Sequence, residues 1–280
     1  MTFSIVARDG DSLGVAVASK FLAVGAVVPG AECGSGAIAT QAWANLRYLP
    51  NGLGLLRNGL SAAEAMTELV DADEDSEQRQ AGIVDAQGGS ATFTGAGTMV
   101  WAGGLAGPDF AVQGNILVGP EVVDEMVAGW LTETELPFGR RLLAALAAGD
   151  RAGGDRRGRQ SAALYVVSPG AGYGGGNDVA YDLRVDDHPD PVTELARLVD
   201  IHEFLFVRPN PEDCLPLTGA VADEVSELLA DLGYPGADLD QALTDLAGVE
   251  NFEERLVPGR IDPLVVNHLR QLVFNNNQAG

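Results

Sequence analysis

The sequence predicts an α+β fold in which two stacked antiparallel sheets lie between two layers of helices, with a small all-α domain after them. Three observations carry that expectation. Strand-like segments come in pairs and triples separated by pairs of helices, an order that suits antiparallel meanders better than the one-strand, one-helix alternation of a parallel sheet. Apolar residues make up 46% of 280 residues, enough for a full core. Past the proline-rich stretch at 208–212 (RPNPE) the pattern changes to helices alone. The expected domains are residues 1–207 and 213–274.

In chain order, residues 2–7 (TFSIVA) are β-forming, 8–11 (RDGD) make a turn, and 13–18 (LGVAVA) return as a second apolar strand. This hairpin sets Thr2 at the tip of a buried strand. A strand of small residues is expected at 34–41 and a short helix at 51–57. Ser61, with Glu64 three residues on, forms a capping box that opens a longer helix to about Val70. The acidic run at 71–75 (DADED) reads as a solvated loop rather than a cation site. Strands at 80–85 and 90–95 form a hairpin over 87–89 (QGG), and 110–114 adds another strand. Pro120 and Pro137 each open a helix, to Trp130 and Ala148, since proline is tolerated in a first turn.

Strands at 161–167 and 179–185 follow, then a helix at 191–205 with Val192, Leu195, Leu198 and Val199 on one face. In the second domain Val221, Val225, Leu228, Leu229 and Leu232 form an amphipathic stripe closed by Gly233. Helices at 240–246 and 262–273 complete it, and the Asn-rich tail at 275–280 is expected to fray.

The charge balance is extreme: 40 acidic residues against 17 basic, a net charge of −23, with Lys20 the only lysine. Carboxylates spread along the chain suit a protein in molar salt, so the cytoplasm of a halophile is the expected setting. Nucleic acid is disfavoured as a partner because phosphate binding needs a basic stripe. No apolar run is long enough for a membrane span, and no secretion signal is read at the N-terminus. Cys33 and Cys214 fall in different expected domains, so two separate, partly buried thiols are expected rather than a disulfide.

Thr2 is the first candidate for chemistry. A small second residue permits removal of Met1, which leaves a hydroxyl and a free α-amine on adjacent carbons. An α-amine titrates near ~8, so it can act as the base that a threonine hydroxyl needs. Ser19 and Lys20 end the return strand, and only one of them can face Thr2 if the strand alternates regularly. Lys20 could lower the pKa of a neighbouring group through its charge.

Gln113 and Asn115 end a strand with two amides around a glycine. Asn115 could donate to an oxyanion, an interaction of about 3 kcal/mol when well placed, or merely stabilise a turn. The run 155–161 (DRRGRQS) leads into a strand, and Arg156, Arg159 and Gln160 could hold a substrate carboxylate, or pair with surface acids. The glycine turn at 173–178 is expected near the site. Asp186, Asp187, His188 and Asp190 have metal-ligand chemistry, but their place between strand and helix favours a capping turn. His202 and His268 read as structural. No serine–histidine–acid set, HExxH motif or dinucleotide fingerprint occurs in its proper context.

Several segments in one order carry a resemblance: 1–9 (MTFSIVARD), 14–21 (GVAVASKF), 39–42 (ATQA), 82–86 (GIVDA), 112–115 (VQGN), 154–162 (GDRRGRQSA) and 182–190 (DLRVDDHPD). Together they resemble the family catalogued as domain of unknown function 1028, which is similar in fold to the N-terminal-nucleophile (Ntn) hydrolases. The resemblance implies a four-layer αββα sandwich with Thr2 as candidate nucleophile. The segments 228–234 (LLADLGY), 250–255 (ENFEER) and 260–263 (RIDP) resemble a small helical domain labelled peptidoglycan-binding. An acidic helical module suits dimerisation or a lid role as well.

The expected function is hydrolysis of an amide or peptide-like C–N bond in a small molecule, with Thr2, Ser19, Lys20 and Asn115 catalytic. Gln113, Arg156, Arg159 and Gln160 would bind substrate. No metal or cofactor is expected, and a homo-oligomer is the expected assembly. The alternative is a binding or scaffold protein that keeps the fold without the chemistry. A metal hydrolase using residues 186–190 is a third possibility.

Overall fold

The structure, a computed structural model, describes residues 2–279. It is a mixed α+β chain with antiparallel sheets and a C-terminal helical region. Two compact units divide it, Met1–Leu198 and Val199–Gly280. The processing of Met1 that the sequence suggests lies outside the described residues.

The first unit contains strands β1 (Thr2–Asp9), β2 (Ser12–Ser19), β3 (Pro29–Glu32), β4 (Gly36–Ala42), β5 (Arg79–Asp85), β6 (Ser90–Thr94), β7 (Gly103–Gly107), β8 (Phe110–Asn115), β9 (Ser161–Val167) and β10 (Val179–Val185). Its helices are α1 (Tyr48–Arg57), α2 (Ala62–Asp71), α3 (Glu121–Thr132) and α4 (Phe138–Arg151); α5 (Pro191–Phe206) contains the boundary between the units. One sheet has six strands in the order β10-β9-β2-β1-β8-β7, and the other has four in the order β3-β4-β5-β6.

Side-chain alternation gives each strand of the six-stranded sheet two faces. Val6, Val15, Val17 and Ala111 point toward the second sheet and join Ala37, Ala39 and Val84 in one buried cluster. The other face of β4 and β5 buries Ile38, Ala81 and Ile83 against Tyr48, Leu56, Ala65 and Leu69 of α1 and α2. On the six-stranded sheet the even–odd partners Phe3 and Ile5 turn the other way, where α4 packs. Gly14 lets α4 come close to the sheet, and Gly149 lets α3 come close to α4: a Cβ on Gly14 would lie 2.8 Å from Leu142, and one on Gly149 2.5 Å from Met126. Each side chain of Leu142 or Phe3 size buried this way removes apolar surface worth about 2 kcal/mol.

The capping box at Ser61 and Glu64 is present, with the Glu64 N–H donating to Ser61 Oγ and the Ser61 N–H donating to Glu64 Oε2 at 2.9 Å. Two strands have no counterpart in the sequence pattern. β3 (PGAE) and β7 (GGLAG) lack the β-branched and aromatic residues that mark strands. Both are sheet edges, where pairing with one neighbour is enough to hold a weak strand.

The acidic run at 71–75 is not simply a solvated loop. Asp73 is held by Arg79 Nε at 2.9 Å and by Asn45 Nδ2 at 2.8 Å, with both ionic side chains only 9% exposed. The Arg79 hydrogen bonds hold the Asp73 carboxyl well below the usual carboxylate range, against the opposing effect of burial.

The second unit contains α6 (Gly219–Asp231), α7 (Leu239–Glu250) and α8 (Pro263–Ala279), with a two-stranded ribbon of β11 (Leu215–Pro216) and β12 (Arg260–Ile261). Val225, Leu229, Leu243, Leu246, Phe252 and Leu269 form its core. The buried guanidinium of Arg255 meets Asp262 at 2.5 Å and donates to the carbonyls of Phe204 and Glu203. The expected fraying of residues 275–280 does not hold through 279, because α8 continues to Ala279. Among the described residues no helix is long and apolar enough to cross a membrane.

Candidate active site

The register of the six-stranded sheet builds one polar row. Thr2 pairs with Ser19 on one side and Asn115 on the other, and Ser19 pairs with Ser161. Residues directly opposite on neighbouring strands share a face, so Ser161, Ser19, Thr2 and Asn115 form a line across four strands. All four are buried. Thr2 Oγ1 and Ser19 Oγ are 3.1 Å apart.

One step further along the same face, Ser4 pairs with Gln113. Gln113 Nε2 donates to Ser4 Oγ at 2.6 Å, and Ser4 Oγ donates to Gln41 Oε1 at 2.7 Å. Gln41 and Gln80 are cross-strand partners on the facing sheet. Gln41 Nε2 donates to Gln80 Oε1 at 2.8 Å and to the Thr2 carbonyl at 3.2 Å. Asn115 Nδ2 donates to the same Gln80 oxygen at 2.9 Å and to the Thr2 carbonyl at 3.4 Å. Buried polar groups must find partners of this kind or forfeit their hydration. The outcome is that two amides from two sheets hold the carbonyl of Thr2.

The exception is Gln113 Oε1, which is buried without a hydrogen-bond partner among the described residues. It lies against Gly82, where a Cβ would come within 2.0 Å of it.

Thr2 and Gln41 also line a cavity of about 280 Å³ whose walls are Phe21, Val24, Val27, Val28, Trp43 and Leu46. The segment after β2 that supplies Phe21, Val24, Val27 and Val28 to this wall is fixed by hydrogen bonds. Ser161 Oγ donates to the Phe21 carbonyl at 2.5 Å and accepts from the Val24 N–H at 3.1 Å. The Lys20 N–H donates to Asp155 Oδ2 at 2.7 Å, and the Ala23 N–H to the Asp186 carbonyl at 3.0 Å. On the other wall, Arg79 Nη1 donates to the Trp43 carbonyl at 2.8 Å.

Backbone strain gathers at the same end of the sheet. Ala23, Ala42 and Ile116 have φ of 52°, 66° and 49°. Ala23 precedes Val24 of the wall, Ala42 lines the cavity and Ile116 follows Asn115. A left-handed conformation costs a side chain with a Cβ of order 1–3 kcal/mol and is rare for a β-branched residue such as Ile116.

The site candidates separate into two groups. Thr2, Ser19, Gln113 and Asn115 come together. Lys20 does not join them: it is exposed, and its Nζ donates to the Arg159 carbonyl at 3.3 Å. Strand alternation leaves Ser19, not Lys20, on the Thr2 face.

Arg159 pairs with Asp150 at 2.7 Å, which raises the guanidinium pKa, and Gln160 Nε2 donates to Asp187 Oδ1 at 3.1 Å. Arg156 is exposed, with its N–H donating to the Ile116 carbonyl at 3.2 Å. None of Arg156, Arg159 and Gln160 lines the cavity. Arg159 and Gln160 instead bond to acids of the protein itself.

Asn115, expected as an oxyanion donor, directs its amide to Thr2 and Gln80. The glycine turn at 173–178, expected near the site, lies at the other end of the sheet: it follows Val167, which pairs with Leu13, whereas Thr2 is at the Ser19–Ser161 end. Six strand residues separate the two ends, about 20 Å. His188 Nδ1 accepts from the Asp190 N–H at 3.0 Å, as a capping turn requires.

Sequence reasoning passed over Ser4, Gln41, Gln80 and Asp155. The signal for the first three was present as polar residues at alternate positions in otherwise apolar strands. A larger cavity of about 740 Å³ is lined by residues that include Asn45, Arg47, Tyr48 and Asp73. The Cys33 thiol, pushed up to about 11 chiefly by burial and next by Asp178, is no thiolate at neutral pH.

Residues 2–195 match the family described as "Family of unknown function (DUF1028)", and the chain belongs to that family. Residues 205–269 match the family described as "Putative peptidoglycan binding domain". Among solved structures, the chain is similar to the crystal structure of protein SPO2555 from Silicibacter pomeroyi, also of the DUF1028 family. The identity is 29%, the TM-score 0.65, and the match covers 79% of this chain and 92% of that one. No curated protein matches the chain.

Proposed function

We propose that the protein is an N-terminal-nucleophile amidohydrolase, a four-layer αββα sandwich that cleaves a small amide or peptide-like C–N bond with Thr2 as nucleophile after removal of Met1. The observation that carries this reading is the seat of the Thr2 hydroxyl, at the wall of a cavity and 3.1 Å from Ser19 Oγ. In the proposed cycle the hydroxyl gives its proton to the α-amine of the same residue as Oγ1 bonds to the substrate carbonyl carbon. The ammonium returns that proton to the departing nitrogen as the C–N bond breaks, leaving an ester on Thr2. Water, activated by the same amine, hydrolyses the ester to a carboxylic acid.

Ser19 tunes and orients the Thr2 hydroxyl. Gln41 and Asn115 act as positioning residues through the Thr2 carbonyl, which fixes the N-terminal residue that must carry both nucleophile and base. For Asn115 to donate to an oxyanion, its amide would have to exchange its longer contact, the 3.4 Å one to Thr2. The net charge of −23 fits work in a halophile's cytoplasm, and dimerisation or a lid role suits the acidic C-terminal unit as well as binding of peptidoglycan.

A panel of N-acyl compounds, cyclic amides and dipeptides, offered to wild type and to Thr2→Ala, tests the reading. Turnover that falls by about 10³-fold or more in Thr2→Ala supports it, and full turnover in that variant overturns it.

A second reading, a binding or scaffold protein without chemistry, is favoured by one observation: both amide hydrogens of Asn115 have partners within the protein. That reading expects ligands of the panel to bind without turnover.

A further inference from the structure

We infer that the cavity beside Thr2 selects amides whose acyl group is apolar and uncharged, of about benzyl or isobutyl size. This rests on the reading of Thr2 as the reacting group and adds the substrate class. Among the described residues the cavity is polar at one place only, where Thr2 and Gln41 meet. Away from it the walls are Phe21, Val24, Val27, Val28, Trp43 and Leu46, and among the described residues no ionisable side chain lines the space. In a chain with 57 charged residues, 40 acidic plus 17 basic, that is a local exclusion of charge.

A carboxylate placed against that apolar wall, away from the Thr2 α-amine that the reaction uses as its base, would lose hydration with no side-chain counter-ion beside it, inside a protein of net charge −23. The arginines that could have met an acidic substrate are outside the cavity, with Arg159 tied to Asp150. An apolar group gains instead by leaving water.

The volume of about 280 Å³ sets the size. It falls at the lower end of small-ligand sites, so it holds a compact acyl group and not an extended chain. The wall is also preformed. Ser161 ties Phe21 and Val24 to β9, and Gly25 packs so closely on that strand that a Cβ would lie 2.6 Å from Ala163. An ordered wall loses little conformational freedom when the ligand enters. The polar end then orients the molecule: the amide carbonyl carbon lies toward Thr2 Oγ1 and the apolar group runs along Val24, Val27 and Trp43.

The test measures binding apart from turnover. Full-length Thr2→Ala is titrated with phenylacetamide and with succinamate, a compact amide bearing a carboxylate, and binding is followed by ligand-observed NMR. The expected result is phenylacetamide at least about tenfold tighter. In the Thr2→Ala background, Leu46→Arg at the exposed rim should narrow that ratio at least about threefold by offering the carboxylate a partner. Succinamate binding as tightly as phenylacetamide, or no binding of either, overturns the inference. The two claims fail separately. Selective binding with no amide turnover by the processed wild type leaves the cavity's preference standing and removes the nucleophile, whereas turnover that is lost in Thr2→Ala and does not discriminate does the reverse.

Discussion

Thr2 and Ser19 face each other across the first hairpin with their hydroxyl oxygens 3.1 Å apart, both side chains buried. The pairing follows from strand register alone, since the eight residue pairs of β1 and β2 run from Asp9–Ser12 at the turn to Thr2–Ser19 at the open end. A two-residue turn at one end therefore fixes the partner of the nucleophile at the other.

The first prediction concerns that pair. Ser19→Ala removes a side-chain partner of Thr2 Oγ1 and should lower kcat about tenfold, with the pH–rate profile displaced. Lys20→Ala should lower it less, because Lys20 Nζ reaches the Arg159 carbonyl instead. Steady-state kinetics on both variants decide this, and a larger loss in Lys20→Ala would reverse the assignment.

The second prediction concerns Gly82 and Gln113. A methyl group at Gly82 would meet Gln113 Oε1 at 2.0 Å, while Gln113 Nε2 is pinned to Ser4 Oγ at 2.6 Å. Gly82→Ala should destabilise by about 2 kcal/mol through overpacking. Gln113→Ala makes room, so the double variant should lose less than the sum of the singles by about 1 kcal/mol. Urea denaturation of the three variants measures the coupling, and simple additivity would refute the close contact.

The third prediction follows from Asp73. Its folded-state pKa is depressed, first by the hydrogen bonds from Arg79, so its contribution to stability is present above the unfolded carboxylate value of about 3.9 and is lost as pH falls below it toward the lower folded value. Asp73→Asn should cost about 3 kcal/mol at neutral pH, where it leaves Arg79 without its nearest carboxylate. The gap to wild type should close on acidification from about pH 4 downward. Denaturation midpoints across that range check the sign; a gap that widens would contradict it.

Much of this molecule was legible in its sequence, for physical reasons that differ by element. β9 and β10 were read to the residue because Ser161–Val167 and Val179–Val185 are dense in β-branched and apolar residues. Helix α2 was legible from its capping box. β3 and β7 were not, since a Gly-rich edge strand is held by its neighbour's hydrogen bonds and not by its own propensity.

In the site, Thr2 and Ser19 could be named from the hairpin, but the choice between Ser19 and Lys20 needed the register. Gln41 and Gln80 could not be joined to Thr2 in advance because they lie on the other sheet, and a contact between sheets leaves no local periodicity. The Arg156 to Gln160 segment has a composition that suits anion binding, and the partner of Arg159, Asp150 nine residues before it, was not legible from that composition.

The most direct test of Thr2 as an unblocked nucleophile is the mass of the N-terminal peptide after the purified protein is incubated with p-nitrophenyl phenylacetate and quenched in acid. The proposed chemistry predicts a peptide that starts at Thr2 and carries a phenylacetyl group on that residue. A peptide that still starts at Met1, or one that starts at Thr2 and gains no mass, would contradict it.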